Sequence, residues 1–257
     1  MAKSGRVAGK IIPIEDSNST KFMKNKNRRA SELTEYGIDT VILDMDGTIL
    51  DLHFDQEVWN RQLPKQFAIT TGRTIESAKI EVAKLMGSSN RTLEWYSLNH
   101  WNEVLGIDLA ALEVEFSHLV RPRPGAVAFL EMLSESELRV ILATNAEPSS
   151  MQRKFDITGI NRYFDAIGCS HDYGICKEDP AFWPMFTDKL NIDPSKTLLI
   201  DDDHNVLRTA MAFGIAYVYG VRRPSSQGPE LASNDFHCLA EFNGLHQAVQ
   251  DDYKKSR

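Results

Sequence analysis

Apolar positions along the chain change their spacing three times, and each change marks a different kind of structure. Residues 1–36 are polar and basic, with Lys21, Lys24, Lys26, Arg28 and Arg29 clustered. They lack the periodic apolar positions that a core needs and predict a flexible basic extension. Val41-Ile42-Leu43 is then a short apolar run closed by acidic residues and Gly47, which predicts a buried strand. From His53 to Val120 the period becomes helical. Ile75, Ala78, Val82 and Leu85 recur at three- and four-residue steps up to Gly87, and Leu109, Leu112 and Phe116 repeat the pattern. Arg121-Pro122-Arg123-Pro124-Gly125 punctuates the return, followed by a helix that buries Val127, Leu130 and Leu133. Strands and helices alternate from there. Strands are predicted over 139–143, 164–168, 197–200 and 215–219, with helices over 179–190 and 204–213. Beyond Gly220 the pattern reads as loop and a terminal helix. The fold class is α/β: a doubly wound, parallel-sheet, Rossmann-like core over 37–52 and 121–257, with an inserted helical cap over 53–120.

Composition narrows the class. At 42% hydrophobic and 25% charged, the 257 residues suffice for one α/β domain plus an insertion. A net charge of −7 argues against a surface for nucleic acid and leaves a nucleotide substrate open. No apolar run is long enough for a membrane helix and no secretory hydrophobic region opens the sequence, so no membrane partner is expected. Cys169, Cys176 and Cys238 have neither metal-ligand spacing nor a disulfide framework. They are expected as reduced thiols in a cytoplasmic protein. The sequence does not fix the oligomeric state, and a monomer is favoured.

The candidate chemistry begins at Asp44-Met45-Asp46-Gly47-Thr48, where two carboxylates one residue apart leave a buried strand. Sites in parallel α/β sheets form beyond the carboxyl ends of the strands. Two like charges about 4 Å apart repel by roughly 4 kcal/mol at an effective dielectric of about 20. A divalent cation relieves that repulsion, and hard oxygen ligands favour Mg2+.

Asp-Met-Asp-Gly-Thr after an apolar strand resembles the first motif of the haloacid dehalogenase-like phosphohydrolases. Read alone, the same residues make an acidic turn. Later stretches resemble the family's remaining motifs, in order and at strand ends. Thr144-Asn145 resembles the second, although Thr-Asn ahead of Pro148 also suits a helix entry. Lys177 resembles the lysine of the third, with Glu178 where the family often has proline. Asp201-Asp202 resembles the fourth in its paired form, although three successive aspartates also suit the helix that begins at His204.

The resemblance implies a role for each of these residues. Asp44 would be the nucleophile that carries phosphate as an aspartyl-phosphate. Asp46 would act as general acid and base, with its backbone carbonyl facing the metal. Thr144 and Asn145 would hold phosphate oxygens, and Lys177 would neutralise the phosphate and the nucleophile. Asp202 would ligate the metal beside Asp44, with Asp201 supporting it directly or through water. Val206 stands where a further acid occurs in one variant, so Asp203 or a water would complete the shell.

Residues 44–59 resemble in more detail the bacterial GMP/IMP nucleotidases of the same superfamily, as do Thr92-Leu93-Glu94-Trp95-Tyr96-Ser97-Leu98-Asn99-His100-Trp101 and Lys177-Glu178-Asp179. The likeness spans about Ile38 to Ser225. It implies a 5′-nucleotidase acting on purine nucleoside monophosphates, a small-molecule phosphorylated substrate. Arg91, Trp95 and Asn99 could stack on and hydrogen-bond a purine. Trp95, Leu98 and Trp101 at helical spacing are equally suited to packing the cap. Phosphatases of sugar phosphates and phosphomutases share the aspartyl-phosphate and remain alternatives. A dehalogenase is disfavoured, since that reaction needs no acid such as Asp46, and the same residue argues against a purely binding module.

Overall fold

The computed structural model describes residues 33–88 and 92–255. The basic cluster of the expected extension lies outside them, but its last residues belong to the folded unit, with Leu33 buried in the core and Tyr36 packed against it. Six parallel strands form one sheet in the order β3-β2-β1-β4-β5-β6. They are β1 (Thr40–Leu43), β2 (Arg139–Thr144), β3 (Ala166–Cys169), β4 (Thr197–Ile200), β5 (Tyr217–Val221) and β6 (His237–Leu239). β1 is central: Val41 aligns with Val140 on one side and Leu198 on the other.

This is the strand order of a doubly wound dinucleotide-type fold, in which both sheet faces are covered. Alternation along β1 sends Val41 and Leu43 into one apolar layer and Ile42 into the other. α8 (Phe182–Leu190) and α9 (His204–Phe213) cover the Ile42 face through Phe182, Phe186, Val206, Leu207 and Ala210. α6 (Ala126–Ser134), α7 (Pro148–Thr158) and α10 (Leu245–Lys255) contribute Phe129, Leu130, Leu133, Phe155 and Val249 to the other.

Between β1 and α6, apart from two isolated bridges, the chain is helices and turns among the described residues. α1 (His53–Glu57) passes through a π-helical stretch, Val58–Gln62, into α2 (Leu63–Thr71). α3 (Ile75–Ser88), α4 (Leu98–Leu105) and α5 (Leu109–Glu115) follow. The chain enters and leaves this segment side by side. Asp51 N donates to Arg121 O at 2.9 Å and Arg123 N to Ile49 O at 2.8 Å. The Asp51 carboxylate ties the junction, accepting from Ser226 N, His53 N and the Arg121 guanidinium. Burial opposes its ionisation, but the hydrogen bonds from Ser226, His53 and Arg121 prevail and hold it below the usual carboxylate range.

The elements depart from the sequence reading at their ends. α3 continues through Gly87. α8 begins at Phe182, because Asp179 Oδ1 accepts from Ala181 N and makes a separate turn before it. β5 runs two residues later than expected and includes Gly220, which pairs with Cys238 of β6, a strand the sequence reading left as loop. No helix of the described residues is long and apolar enough to cross a membrane.

Candidate active site

Three neighbouring strand ends bring the acidic residues together. Asp44 leaves β1, Asp201 and Asp202 leave β4, and Asn145 leaves β2. After Asp44 the backbone makes a tight turn, with Ile49 N and Leu50 N both donating to Met45 O. Gly47 sits in it at φ +85°, in the left-handed region that favours glycine. A Cβ at Gly47 would lie 2.3 Å from Asp202 Oδ2, so the turn and the end of β4 pack without room for one.

Lys177 closes the group from the loop ahead of α8. Its side chain is buried, and its ammonium donates to Asp44 Oδ1 at 2.6 Å, Asp201 Oδ2 at 2.7 Å and Ala143 O at 3.0 Å. All three ammonium donors are therefore used. Burial pulls the Lys177 pKa down, but Asp201 and Asp44 outweigh it and hold the charge in place. One cation does not balance three carboxylates. Burial pushes Asp201 up to about 8, and burial with Asp44 nearby raises Asp202 well above the usual range. Asp44 is also raised, by burial, despite Lys177.

The donor set fits a hard divalent cation. One oxygen each from Asp44, Asp201 and Asp202 lie within 4.8 Å of one another, and Asp44 Oδ2 is buried without a hydrogen-bond partner. Asp201 is partly committed elsewhere, since its Oδ1 accepts from Asp203 N at 2.9 Å. Asp203 caps α9 by accepting from Asn205 N at 2.6 Å. The helix-capping reading of the aspartate run therefore applies to its third member.

The loop after β2 is held by its own polar groups. Thr144 Oγ1 accepts from Ala146 N at 3.0 Å, and Asn145 Oδ1 accepts from Lys177 N at 2.9 Å. Asn145 Nδ2 donates to Glu178 Oε2 at 2.8 Å, and the other Glu178 oxygen accepts from Tyr96 Oη at 2.5 Å. The residue that departs from the family's proline thus ties the helical segment to the loop carrying Asn145. Burial and Glu178 keep the Tyr96 phenol protonated far above its ordinary range.

A cavity of about 410 Å3 opens over these groups. Trp59, Trp95 and Tyr96 give it aromatic walls, and Asp44, Asp46 and Lys177 line its floor. Trp59 and Asn60, which line this cavity, lie in the π-helical stretch, where regular helical periodicity does not apply. Of the three cap residues singled out from sequence, Trp95 lines the cavity and Arg91 lies outside the described residues. Asn99 does not line it: the side chain is turned to Glu147, with Nδ2 donating to Oε1 at 3.1 Å. Trp101 is buried and donates from Nε1 to Trp95 O, the packing role that helical spacing suggested.

A family model for haloacid dehalogenase-like hydrolases matches residues 38–214, which include every one of these groups. The chain belongs to the haloacid dehalogenase-like hydrolases. It is 36% identical over 189 residues to the GMP/IMP nucleotidase YrfG of Escherichia coli, covering 74% of this chain and 85% of that protein. A phosphorylated carbohydrates phosphatase of Thermotoga maritima is 22% identical over 214 residues, 76% of this chain and 90% of that one. Among solved structures, a phosphatase of the same family from Thermococcus onnurineus superposes with a TM-score of 0.69. It is 17% identical and covers 82% of this chain and 97% of its own. The protein is a phosphatase of the haloacid dehalogenase-like family.

Sequence reasoning missed a second set of charges beside this hydrolase site. Lys154 of α7 is 2% exposed, and its ammonium lies 2.8 Å from Asp46 Oδ1 and 2.7 Å from Asp55 Oδ1. Burial and the nearby Asp46 push Asp55 up to about 7. Glu113, also buried, accepts from Ser150 Oγ and from Arg153 Nη2. Glu147 accepts from the backbone amides of Leu98 and Asn99. One signal was available: Ser150, Lys154 and Phe155 fall on one helical stripe, so the lysine sits on the buried face of α7.

Proposed function

We propose that this phosphatase is a magnesium-dependent 5′-nucleotidase that releases phosphate from purine mononucleotides, GMP and IMP, by way of a phosphoryl group carried on Asp44. The observation that carries the proposal is the cluster of buried Asp44 and Asp201 with half-buried Asp202, and Lys177 on Asp44. Asp44 and Asp202, supported by Asp201 and the backbone carbonyl of Asp46, would hold Mg2+. Bound there, the ion supplies positive charge against the phosphoryl oxygens. Lys177 fixes the orientation of Asp44, whose carboxylate attacks phosphorus in line. Asp46 gives a proton to the departing ribose oxygen and then takes one from the water that cleaves the acyl-phosphate. Thr144 and Asn145 orient phosphate oxygens from the end of β2. Residues 53–120 serve as a cap that excludes bulk water. Three free cysteines suit a reducing cytoplasm.

The nucleotide assignment rests on the nucleotidase relative and on the aromatic walls around Trp59, Trp95 and Tyr96, which suit a base. The carbohydrate-phosphate relative favours a second reading, a sugar-phosphate phosphatase. Phosphate release from GMP, IMP, AMP and hexose phosphates separates them. The proposal expects the highest kcat/KM with GMP and IMP, loss with EDTA and recovery with Mg2+. Preference for hexose phosphates would establish the second reading, and isomerisation without phosphate release would make the protein a mutase.

A further inference from the structure

We infer that Lys154 is a positioning residue that aims Asp46 at the leaving group and couples that aim to the seating of the helical segment. The inference rests on Asp46 being the acid of the reading above. A lysine is rarely buried unless paired, and Lys154 is clamped on two sides. Asp46 comes from the turn after β1, and Asp55 comes from α1. The Phe54 ring centroid lies 5.2 Å from the ammonium and closes a further side. Asp46 Oδ1 is closed to solvent without a hydrogen bond and is held by the charge of Lys154 2.8 Å away, while the side chain as a whole keeps 19% of its surface and lines the cavity. Oδ1 is thus the anchored oxygen, and Oδ2 is the one left to face a substrate.

α7 is itself fastened to the helical segment. Glu113 of α5 takes hydrogen bonds from Ser150 and Arg153, four residues and one residue before Lys154 along the helix. Glu147 at the start of α7 takes the amides of Leu98 and Asn99. Asp55 and Glu113 therefore hold the lysine's helix from the segment side while the lysine holds Asp46 from the core side. When the segment is seated, Asp46 has one orientation. When Asp55 is withdrawn, Lys154 loses one of its two charge partners and Asp46 loses a fixed anchor.

The test compares two leaving groups in the full-length, magnesium-loaded enzyme. An alkyl phosphate (IMP on the reading above, or whichever hexose phosphate is turned over) needs a proton on its departing oxygen. A p-nitrophenyl phosphate does not. Because kcat/KM covers the steps up to departure of the leaving group, it isolates proton delivery. Asp46→Asn sets the reference, with a loss on the alkyl ester at least tenfold greater than on the aryl ester. Lys154→Met and Asp55→Asn are expected to show the same asymmetry, with Lys154→Arg recovering part of it.

Parallel losses on both esters, or no loss, in a folded Lys154→Met overturn the inference while Asp46→Asn still supports the acid. If Lys154→Met does not fold, Asp55→Asn decides by the same criterion. Equal losses in Asp46→Asn remove the acid itself and the inference with it. Failure to hydrolyse IMP alone touches only the substrate assignment.

Discussion

Replacing Gly47 by alanine isolates the packing that sets Asp202. The residue adopts φ +85°, and an added Cβ would meet Asp202 at 2.3 Å from Oδ2 and 2.5 Å from Cγ. The left-handed backbone alone costs a residue with a Cβ about 1–2 kcal/mol. In a protein of this size, that lowers Tm by about 2–8 °C. Relieving the contact requires the carboxylate to retreat by about 1 Å, a misplacement that costs on the order of 10²-fold in rate at a reacting centre.

Gly72 supplies the control. It has φ +67° with nothing within 4 Å of its would-be Cβ, so Gly72→Ala pays the backbone strain without the collision. Thermal melts with and without Mg2+, beside phosphate-release assays, separate the two effects. At a hundredfold excess over Kd, bound ion stabilises by about 2.7 kcal/mol. Both variants are expected to melt lower, but only Gly47→Ala should lose turnover and most of the Mg2+-dependent rise in Tm. If Gly47→Ala keeps turnover within threefold of wild type and the full rise, the position of Asp202 does not govern the site.

Three further outcomes follow from the same geometry. Lys177→Met leaves Asp44 and Asp201 facing each other without their shared cation. It should destabilise by about 3–5 kcal/mol and abolish phosphate release, with Asp201→Asn added on top restoring part of the Tm and none of the activity. Asp51 ionises below its ordinary value near 3.8 in the folded protein, so its stabilisation is present above that value and is lost as pH falls through the folded one. Melts in this acid range should show a shallower loss of Tm in Asp51→Asn than in wild type. Tyr96→Phe removes the hydroxyl that joins the helical segment to Glu178, and steady-state kinetics should show KM for a nucleotide raised by about tenfold, the equivalent of one charge-assisted hydrogen bond.

Legibility from sequence followed burial. β1, β2 and β4 are covered on both faces and read as continuous apolar runs, so their ends, and with them Asp44, Thr144 and Asp201-Asp202, could be placed from the chain alone. β6 is three residues long and carries an exposed histidine, too little to register as a strand. Gly220 reads as a terminator, yet it lies within β5 because Cys238 Sγ fills the space a Cβ would need. Carboxylates and ammonium groups on helices read as solvated faces, which hid Asp55, Glu113 and Lys154. Their burial depends on partners remote in sequence: Lys154 meets Asp46 and Asp55, and Glu113 meets Arg153. Asn99 failed for a related reason. Its amide suits a purine, but Glu147, far along the chain, claims it first.

The place of β1 in the sheet also governs when the chemistry can exist. Thr40–Leu43 pairs with two neighbours that lie about 100 and 160 residues further on, a long-range pairing that slows folding. A ribosome-bound chain that has not yet released β4 holds Asp44 without Lys177's second partner and without either aspartate of the fourth strand. The acidic cluster therefore cannot assemble until the fourth strand has been made, and a chain cut short before it carries only Asp44 of the three carboxylates.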